Sequence, residues 1–286
     1  MTPAADLAAR YNLQALRGRR EWRGTCPLCD YQNAFSLTEK GGYPTFWCFA
    51  CQDRKGLAGL ASDAASKPTM MRLHHPPAVS WADKAIRILE LWSQGTPCPE
   101  TRADIYLAAR GLPGVAGSPA LRFHSAIRHP YAPGRLPAML ASVVDVNGHP
   151  IGLHRTYLRS DGRGKAGVEP AKASLGRVRG GAIRLHEADS EIVIGEGIES
   201  AAAAGVLLGL PAWAAIATGN LARSLILPRG VRSVVIAADH DPPGITAANA
   251  AAARWKADGR IVRVVVPDRE GWDFNNQLER GETPHD

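Results

Sequence analysis

Glu191-Ile192-Val193-Ile194-Gly195-Glu196-Gly197 is followed, about forty residues on, by Val234-Val235-Ile236-Ala237-Ala238-Asp239-His240-Asp241, and these two stretches decide how the chain is read. Each apolar run has the length and β-branched content of a buried parallel strand. Each ends in carboxylates, at the strand end where open α/β sheets bind ligands. Glu196, Asp239 and Asp241 brought to one sheet edge repel each other unless a cation sits among them, and Mg²⁺ is the simplest such cation.

Around these runs the pattern alternates. Ile192–Ile194 reads as a strand and Ile198–Leu208 as an Ala-rich helix stopped by Gly209 and Pro211. Trp213–Ala217 reads as a strand, Leu221–Leu227 as a short helix and Val231–Ala238 as a strand. Pro243–Asp258 reads as a long helix with Pro near its first turn, and Ile261–Val266 as a strand. Such alternation predicts a parallel sheet with helices on both faces. The run Ser200–Ala222 carries no charge and is long enough to span a bilayer, but it is Ala- and Gly-rich and broken by Pro211, so it divides into a helix and a strand. No membrane association is expected. The Arg-rich start, Met1–Arg20, lacks an apolar signal region, and the expected location is cytoplasmic.

Working toward the N-terminus, two close cysteine pairs stand out: Cys26-Pro27-Leu28-Cys29 and Cys48-Phe49-Ala50-Cys51. Four thiolates at this spacing match a closed tetrahedral Zn²⁺ site, which leaves no open position for catalysis. Phe35–Leu37 and Thr45–Trp47 alternate like short strands around Gly41-Gly42, completing a zinc ribbon. Residues 1–20 read as a helix ending near Gly18. His74 and His75 are spare ligands in a Ser/Pro/His-rich stretch read as a linker. Trp81–Trp92 is a helix with Ala85, Ile88, Leu89 and Trp92 on one face, and Thr101–Arg110 is a second, stopped by Gly111. Met139–Val146 and Pro150–Leu158 form a hairpin about Asn147-Gly148. The expected organisation is a multidomain α/β chain: zinc ribbon over 1–61, linker over 62–80, a basic α+β subdomain over 81–189 and a parallel α/β domain over 190–286.

The net charge of +7 is unevenly distributed, at +4 over 1–80, zero over 81–99, +8 over 100–185 and −5 over 186–286. A basic front and an acidic back suggest a polyanion held by the first and metal ions by the second. Surface faces that merely differ in charge give the same totals.

The knuckle Phe46-Trp47-Cys48-Phe49-Ala50-Cys51, with Gly56 after it, resembles the zinc ribbon of bacterial-type DNA primases, and Cys29 in place of a frequent His resembles the phage-type version. Asp145, Gly148, Ile151, Gly152, Arg155, Pro170, Lys172 and Ser174, then Gly180-Gly181-Ala182-Ile183-Arg184-Leu185, loosely resemble the basic half of the primase core. Glu after the first strand and Asp-x-Asp after the third resemble the Toprim domain of primases, type IA and II topoisomerases and some nucleases. The resemblance implies that Glu196, Glu199, Asp239, Asp241 and Asp273 are the catalytic acids, with Mg²⁺ or Mn²⁺ on Glu196, Asp239 and Asp241. It also implies that Arg155, Lys165 and Lys172 contact template or nucleotide phosphates. The family often has a further acid where Asn275 or Asn276 stands, which weakens one metal position, although an Asn can ligate through its carbonyl oxygen. Asp241 also suits a plain helix cap, and His240 is read as pointing away from its neighbours and capping nothing.

Together these resemblances imply a DNA primase that joins ribonucleoside triphosphates on a single-stranded DNA template, with a replicative helicase as a further partner and a mobile element as source. Trp47, Phe46 and Phe49 either stack template bases or pack the ribbon, with packing favoured for Phe46. Two alternatives stay open: a Toprim nuclease, and an inactive primase-like DNA-binding protein.

Overall fold

The computed structural model describes residues 3–16, 21–28, 34–40, 43–48, 57, 60, 81–130 and 132–281. The chain divides into two compact units, Met1–Asp83 and Lys84–Asp286. Cys29, Cys51, Phe49, Gly41-Gly42, His74, His75 and the 62–80 linker lie outside the described residues.

The first unit holds helix α1 (Pro3–Arg10) and an antiparallel sheet of β1 (Gln14–Ala15), β2 (Glu21–Gly24), β3 (Phe35–Lys40) and β4 (Tyr43–Cys48), in that order. The expected helix over 1–20 is therefore too long. It stops where Asn12 takes a positive φ and the Leu13 N–H turns back to Ala8, and the chain then enters β1. The core is small. Phe35 stacks on Phe46 at 5.1 Å and Tyr11 meets both rings edge-on. Phe46 is thus a packing residue.

Helix α2 (Trp81–Gln94), which lies in the second unit from Lys84 on, is followed by α3 (Arg102–Ala109), capped by Thr101, whose side chain accepts from Ala103 N–H. The buried face of α2 is Ile88 and Leu91, while Leu89 is half-exposed, so the face inferred from the sequence is rotated. An antiparallel sheet follows: β5 (Leu121–Arg128), β6 (Arg135–Val144), β7 (Pro150–Tyr157) and β8 (Lys172–Gly176) in sequence order. The β6–β7 hairpin turns as expected. Gly148 has a positive φ, and Asp145 Oδ1 accepts from the N–H groups of Asn147 and His149.

The last sheet is made of β9 (Ile183–Arg184), β10 (Glu191–Gly195), β11 (Ala212–Ala214), β12 (Ser233–Ala237) and β13 (Ile261–Val265), in the spatial order β13-β12-β10-β11-β9. All pairings are parallel except β9 on β11. Four helices accompany it: α4 (Ile198–Leu208), α5 (Thr218–Arg223), α6 (Pro242–Ala257) and α7 (Phe274–Arg280). The chain leaves β10 toward β11 and returns on the other side of β10 to form β12. The strand order therefore reverses between β10 and β12, which is where such sheets open a ligand crevice. Helix α5 starts three residues before the predicted Leu221 because buried Asn220 is tied on three sides, to Gly180 N–H and to the carbonyls of Gly181 and Ala215.

The close fit of α4 against β10 depends on Gly195. A Cβ there would lie 2.8 Å from both N and Cα of Ala201. Gly195→Ala is expected to destabilise the second unit by about 2 kcal/mol, as overpacking does, and to lower the denaturant midpoint in an equilibrium unfolding titration.

Candidate active site

The register Gly195↔Ala237 puts the ends of β10 and β12 side by side. Glu196 leaves the first strand, and Asp239 and Asp241 leave the second, so all three stand at the switch point of the sheet. Asp273 joins them from the end of the β13 loop, as the N-cap of α7. The cluster is felt in its charges. Burial first, then Asp239 and Asp241, push Glu196 up to about 7. Burial, then Asp273 and Asp241, push Asp239 up to about 6. Lys172 is the cation that opposes both shifts.

Each acid is oriented by a donor. Ser200 Oγ, in the first turn of α4, donates to Asp239 Oδ1 at 3.1 Å. Gly244 N–H donates to Asp241 Oδ1 at 2.7 Å, so Asp241 does cap α6. Gly244 is required there, because a Cβ would sit 2.6 Å from the Asp239 carbonyl. Asn276 N–H donates to Asp273 Oδ1 at 2.8 Å, and Asn276 Oδ1 accepts from Asp273 N–H in return. His240 has a specific role after all: its Nδ1 lies 2.7 Å from the Pro267 carbonyl. Its backbone also pairs with Trp272 and Gly271, so the Asp239–Asp241 turn is clamped to the loop that carries Asp273.

Asn276 is engaged as a cap, whereas Asn275 keeps a buried Oδ1 with no hydrogen-bond partner among the described residues. Asn276 closes the capping box, which occupies its carbonyl oxygen. Asn275 is fully buried and donates to the Arg110 carbonyl at 2.6 Å. Glu199, expected beside Glu196, is buried on α4 and paired with Lys172 at 3.1 Å and Lys165 at 3.5 Å, with the Tyr106 hydroxyl also donating to it. Arg155 is buried, donates from Nε to the Ala173 carbonyl and lies over the Tyr157 ring. His154 sits beside this group. Its Nδ1 is 2.9 Å from Ser174 Oγ, and burial, then Lys172, pull it down to about 3. Sequence reading missed Tyr106, His154 and Ser200. Ser200, three residues after Gly197, and His154, beside Arg155, lay within recognisable motifs, whereas Tyr106 lay in none.

Among the described residues, no three His, Cys, Asp or Glu side chains converge closely enough to hold a metal ion as they stand. The donor set nonetheless suits a hard divalent cation: oxygen only, several charges, each carboxylate oriented, and two of them held toward protonation by the others. In the first unit Cys26 and Cys48 are buried, and Leu28 N–H donates to Cys26 Sγ at 3.4 Å. This backbone support suits a thiolate bound to zinc.

The comparisons with known proteins bear on this geometry. Residues 191–283 match the family described as the Toprim domain. The chain carries a Toprim domain. Residues 82–185, ahead of it, match a domain of unknown function, DUF7146. The fold is similar to that of a solved primase. The structure is similar to the Aquifex aeolicus primase, zinc-binding and RNA polymerase domains, at 15% identity, covering 98% of this chain and 80% of that one with a TM-score of 0.50. The primase fragment of the bacteriophage T7 primase-helicase protein matches at 14% identity over 91% of this chain and 94% of that one, with a TM-score of 0.45. A DnaG primase catalytic domain bound to single-stranded DNA matches at 15% identity over 71% and 79%, with a TM-score of 0.48. No curated protein sequence matches the chain. Among the described residues no helix is long and apolar enough to cross a membrane.

The acids of the Toprim domain set a pH dependence. Glu196 and Asp239 have folded-state pKa values above their unfolded ones, so the metal-free folded chain binds more protons than the unfolded chain. That contribution to stability is present at low pH and is lost as pH rises toward 7. His154, whose pKa is depressed, works oppositely, and its contribution is lost as pH falls below its usual value. Near pH 6 to 7, where Asp239 and Glu196 both titrate and His154 is already neutral, metal-free stability declines as pH rises. Mg²⁺ should raise the melting temperature by several degrees near pH 8 and by much less near pH 5.5, because it binds the deprotonated acids. Differential scanning calorimetry at the two pH values checks this.

Proposed function

We propose that this protein is a DNA-dependent RNA primase, joining ribonucleoside triphosphates into short primers on single-stranded DNA. The observation that carries the reading is a carboxylate cluster at the switch point of the Toprim sheet, with Lys172 of the preceding basic sheet brought against it. That pairing suits nucleotidyl transfer: acids for divalent cations, an ammonium for phosphate.

Glu196, Asp239 and Asp241, with Asp273 in support, would hold Mg²⁺ or Mn²⁺. When bound, the ion supplies charge neutralisation of a triphosphate and acidification of an attacking hydroxyl. The chain's own residues do the positioning. Ser200 fixes one Asp239 oxygen, Gly244 one Asp241 oxygen and Asn276 one Asp273 oxygen, so these three acids present their second oxygens in set directions. Lys172 offers an ammonium to a phosphate arriving beside these acids, and Lys165 a second one. The +8 segment over 100–185 suits a DNA strand held through its backbone, with binding that weakens steeply as salt rises. A Zn²⁺ ion on Cys26, Cys29, Cys48 and Cys51 would fold the first unit, leaving Trp47 at its surface for template contact.

The test is direct. The full chain is incubated with single-stranded DNA of varied sequence, labelled ribonucleoside triphosphates and Mg²⁺ or Mn²⁺. Short oligoribonucleotides are expected. Template cleavage would replace the reading with a nuclease, and DNA binding with neither product would replace it with an inactive primase-like protein.

A further inference from the structure

Glu199 stands apart from the other acids of the Toprim domain. Burial raises its neighbours Glu196 and Asp239, with Asp239 and Asp241 adding at the first and Asp273 and Asp241 at the second, whereas Glu199 is held well below the usual carboxylate range by Lys172 and Lys165, against its burial. Both of its oxygens are engaged. Oε1 takes the Tyr106 hydroxyl and lies 3.5 Å from Lys165 Nζ, and Oε2 lies 3.1 Å from Lys172 Nζ. Its side chain is 5% exposed, while those of Lys165 and Lys172 are 35% and 34% exposed, so each lysine has one side on the carboxylate and another toward solvent. The four residues come from three parts of the second unit: α3, the β7–β8 segment and α4. A carboxylate shared by two ammoniums has no charge left over for a cation, and the group as a whole carries a net charge of about +1.

We propose that Tyr106 and Glu199 form a positioning pair: the buried carboxylate, held by the Tyr106 hydroxyl, sets Lys165 and Lys172 side by side next to the acid cluster, and Glu199 is not itself a metal ligand. Lysine stems are flexible and two ammoniums repel each other. Fixing them in advance removes that ordering cost from the binding of an incoming triphosphate. The kinetic part of this inference rests on the primase reading, whereas the pairing itself does not.

Two measurements on the full chain test it. The first needs no activity: competitive acetylation of lysines near pH 8, read by mass spectrometry against exposed Lys256. Glu199→Gln removes the counter-ion, lowers the lysine pKa values and should speed labelling of Lys165 and Lys172 about tenfold, the effect of one pKa unit. Tyr106→Phe, which keeps the ring in the core, should give a smaller rise at the same two sites. Unchanged labelling in a folded Glu199→Gln variant overturns the pairing. If Glu199→Gln fails to fold, Tyr106→Phe labelling decides alone.

The second is primer-synthesis kinetics. Glu199→Gln should raise KM for the ribonucleoside triphosphate about tenfold or more while leaving the Mg²⁺ concentration for half-maximal rate unchanged. A shifted Mg²⁺ requirement with unchanged KM makes Glu199 a metal ligand and overturns the proposal. Tyr106→Phe should add little on top of Lys172→Met, because both act through one chain of contacts, and full additivity counts against it. Should the wild-type chain make no primers, the primase reading fails, and the labelling result still decides the pairing.

Discussion

Replacing Asp239 by Asn should abolish primer synthesis and at the same time make the metal-free protein more stable. Asp239 sits at the centre of the acid cluster. Burial, Asp273 and Asp241 all oppose its charge, and Ser200 is the donor that supports it. Asn keeps the shape, and its carbonyl oxygen can still accept from Ser200. What is lost is the negative charge that a divalent cation needs. Losing one such preorganised charge should cost about 10²- to 10³-fold in kcat. The same change removes a buried like-charge contact, which stabilising substitutions at strained functional sites commonly exploit for about 0.5–2 kcal/mol. In primer assays with matched calorimetry, lost activity with a melting temperature a few degrees higher is the expected pair of results. Wild-type activity in Asp239→Asn would place the metal chemistry elsewhere.

Stripping zinc should unfold the first unit and leave the second standing. The described core of Met1–Asp83 is thin: Ala4, Ala8, Leu13, Phe35, Leu37, Phe46 and Leu57 are its main apolar members besides the cysteines. Units of this size rarely hold together on such a core and are usually stapled. A Cys₄ zinc site supplies about 10–16 kcal/mol of apparent binding free energy, far more than the core can. A strong chelator should therefore abolish the first unit's melting transition, while that of Lys84–Asp286, built on its own sheets, persists. Cys48→Ser should do the same without chelator. One zinc per chain is expected by elemental analysis, and a metal-free preparation with both transitions intact would sink the ribbon reading.

Much of the parallel sheet was legible in the chain. The runs at 191–195 and 233–237 are too apolar and too β-branched for anything but buried strands, and the Gly and Pro residues between them punctuate the helices. Boundaries slipped where a tertiary contact set them. Three ties on Asn220 started α5 early, and pairing with β2 diverted Gln14–Ala15 from helix to strand. The rotated face of α2 has the same origin. The sequence offers Ala85, Ile88, Leu89 and Trp92 as one stripe, but the sheet it packs on takes Ile88, Leu91 and part of Trp92 and leaves Leu89 exposed.

The site shows the same division. Sequence alone put Glu196, Asp239 and Asp241 at the ends of neighbouring strands, because each follows a run that is read from its own local pattern. Local pattern is short-ranged, and it ends there. That Glu199 would meet Tyr106, 93 positions away, and be neutralised by two lysines was decided by how the basic sheet docks on the Toprim sheet. That Asn276 would close a capping box and the Asn275 amide would serve a buried carbonyl was decided by the start of α7. A side chain's charge and donors are written in its own residue type, but its partners depend on which distant segments share its burial, and only the folded packing brings those together.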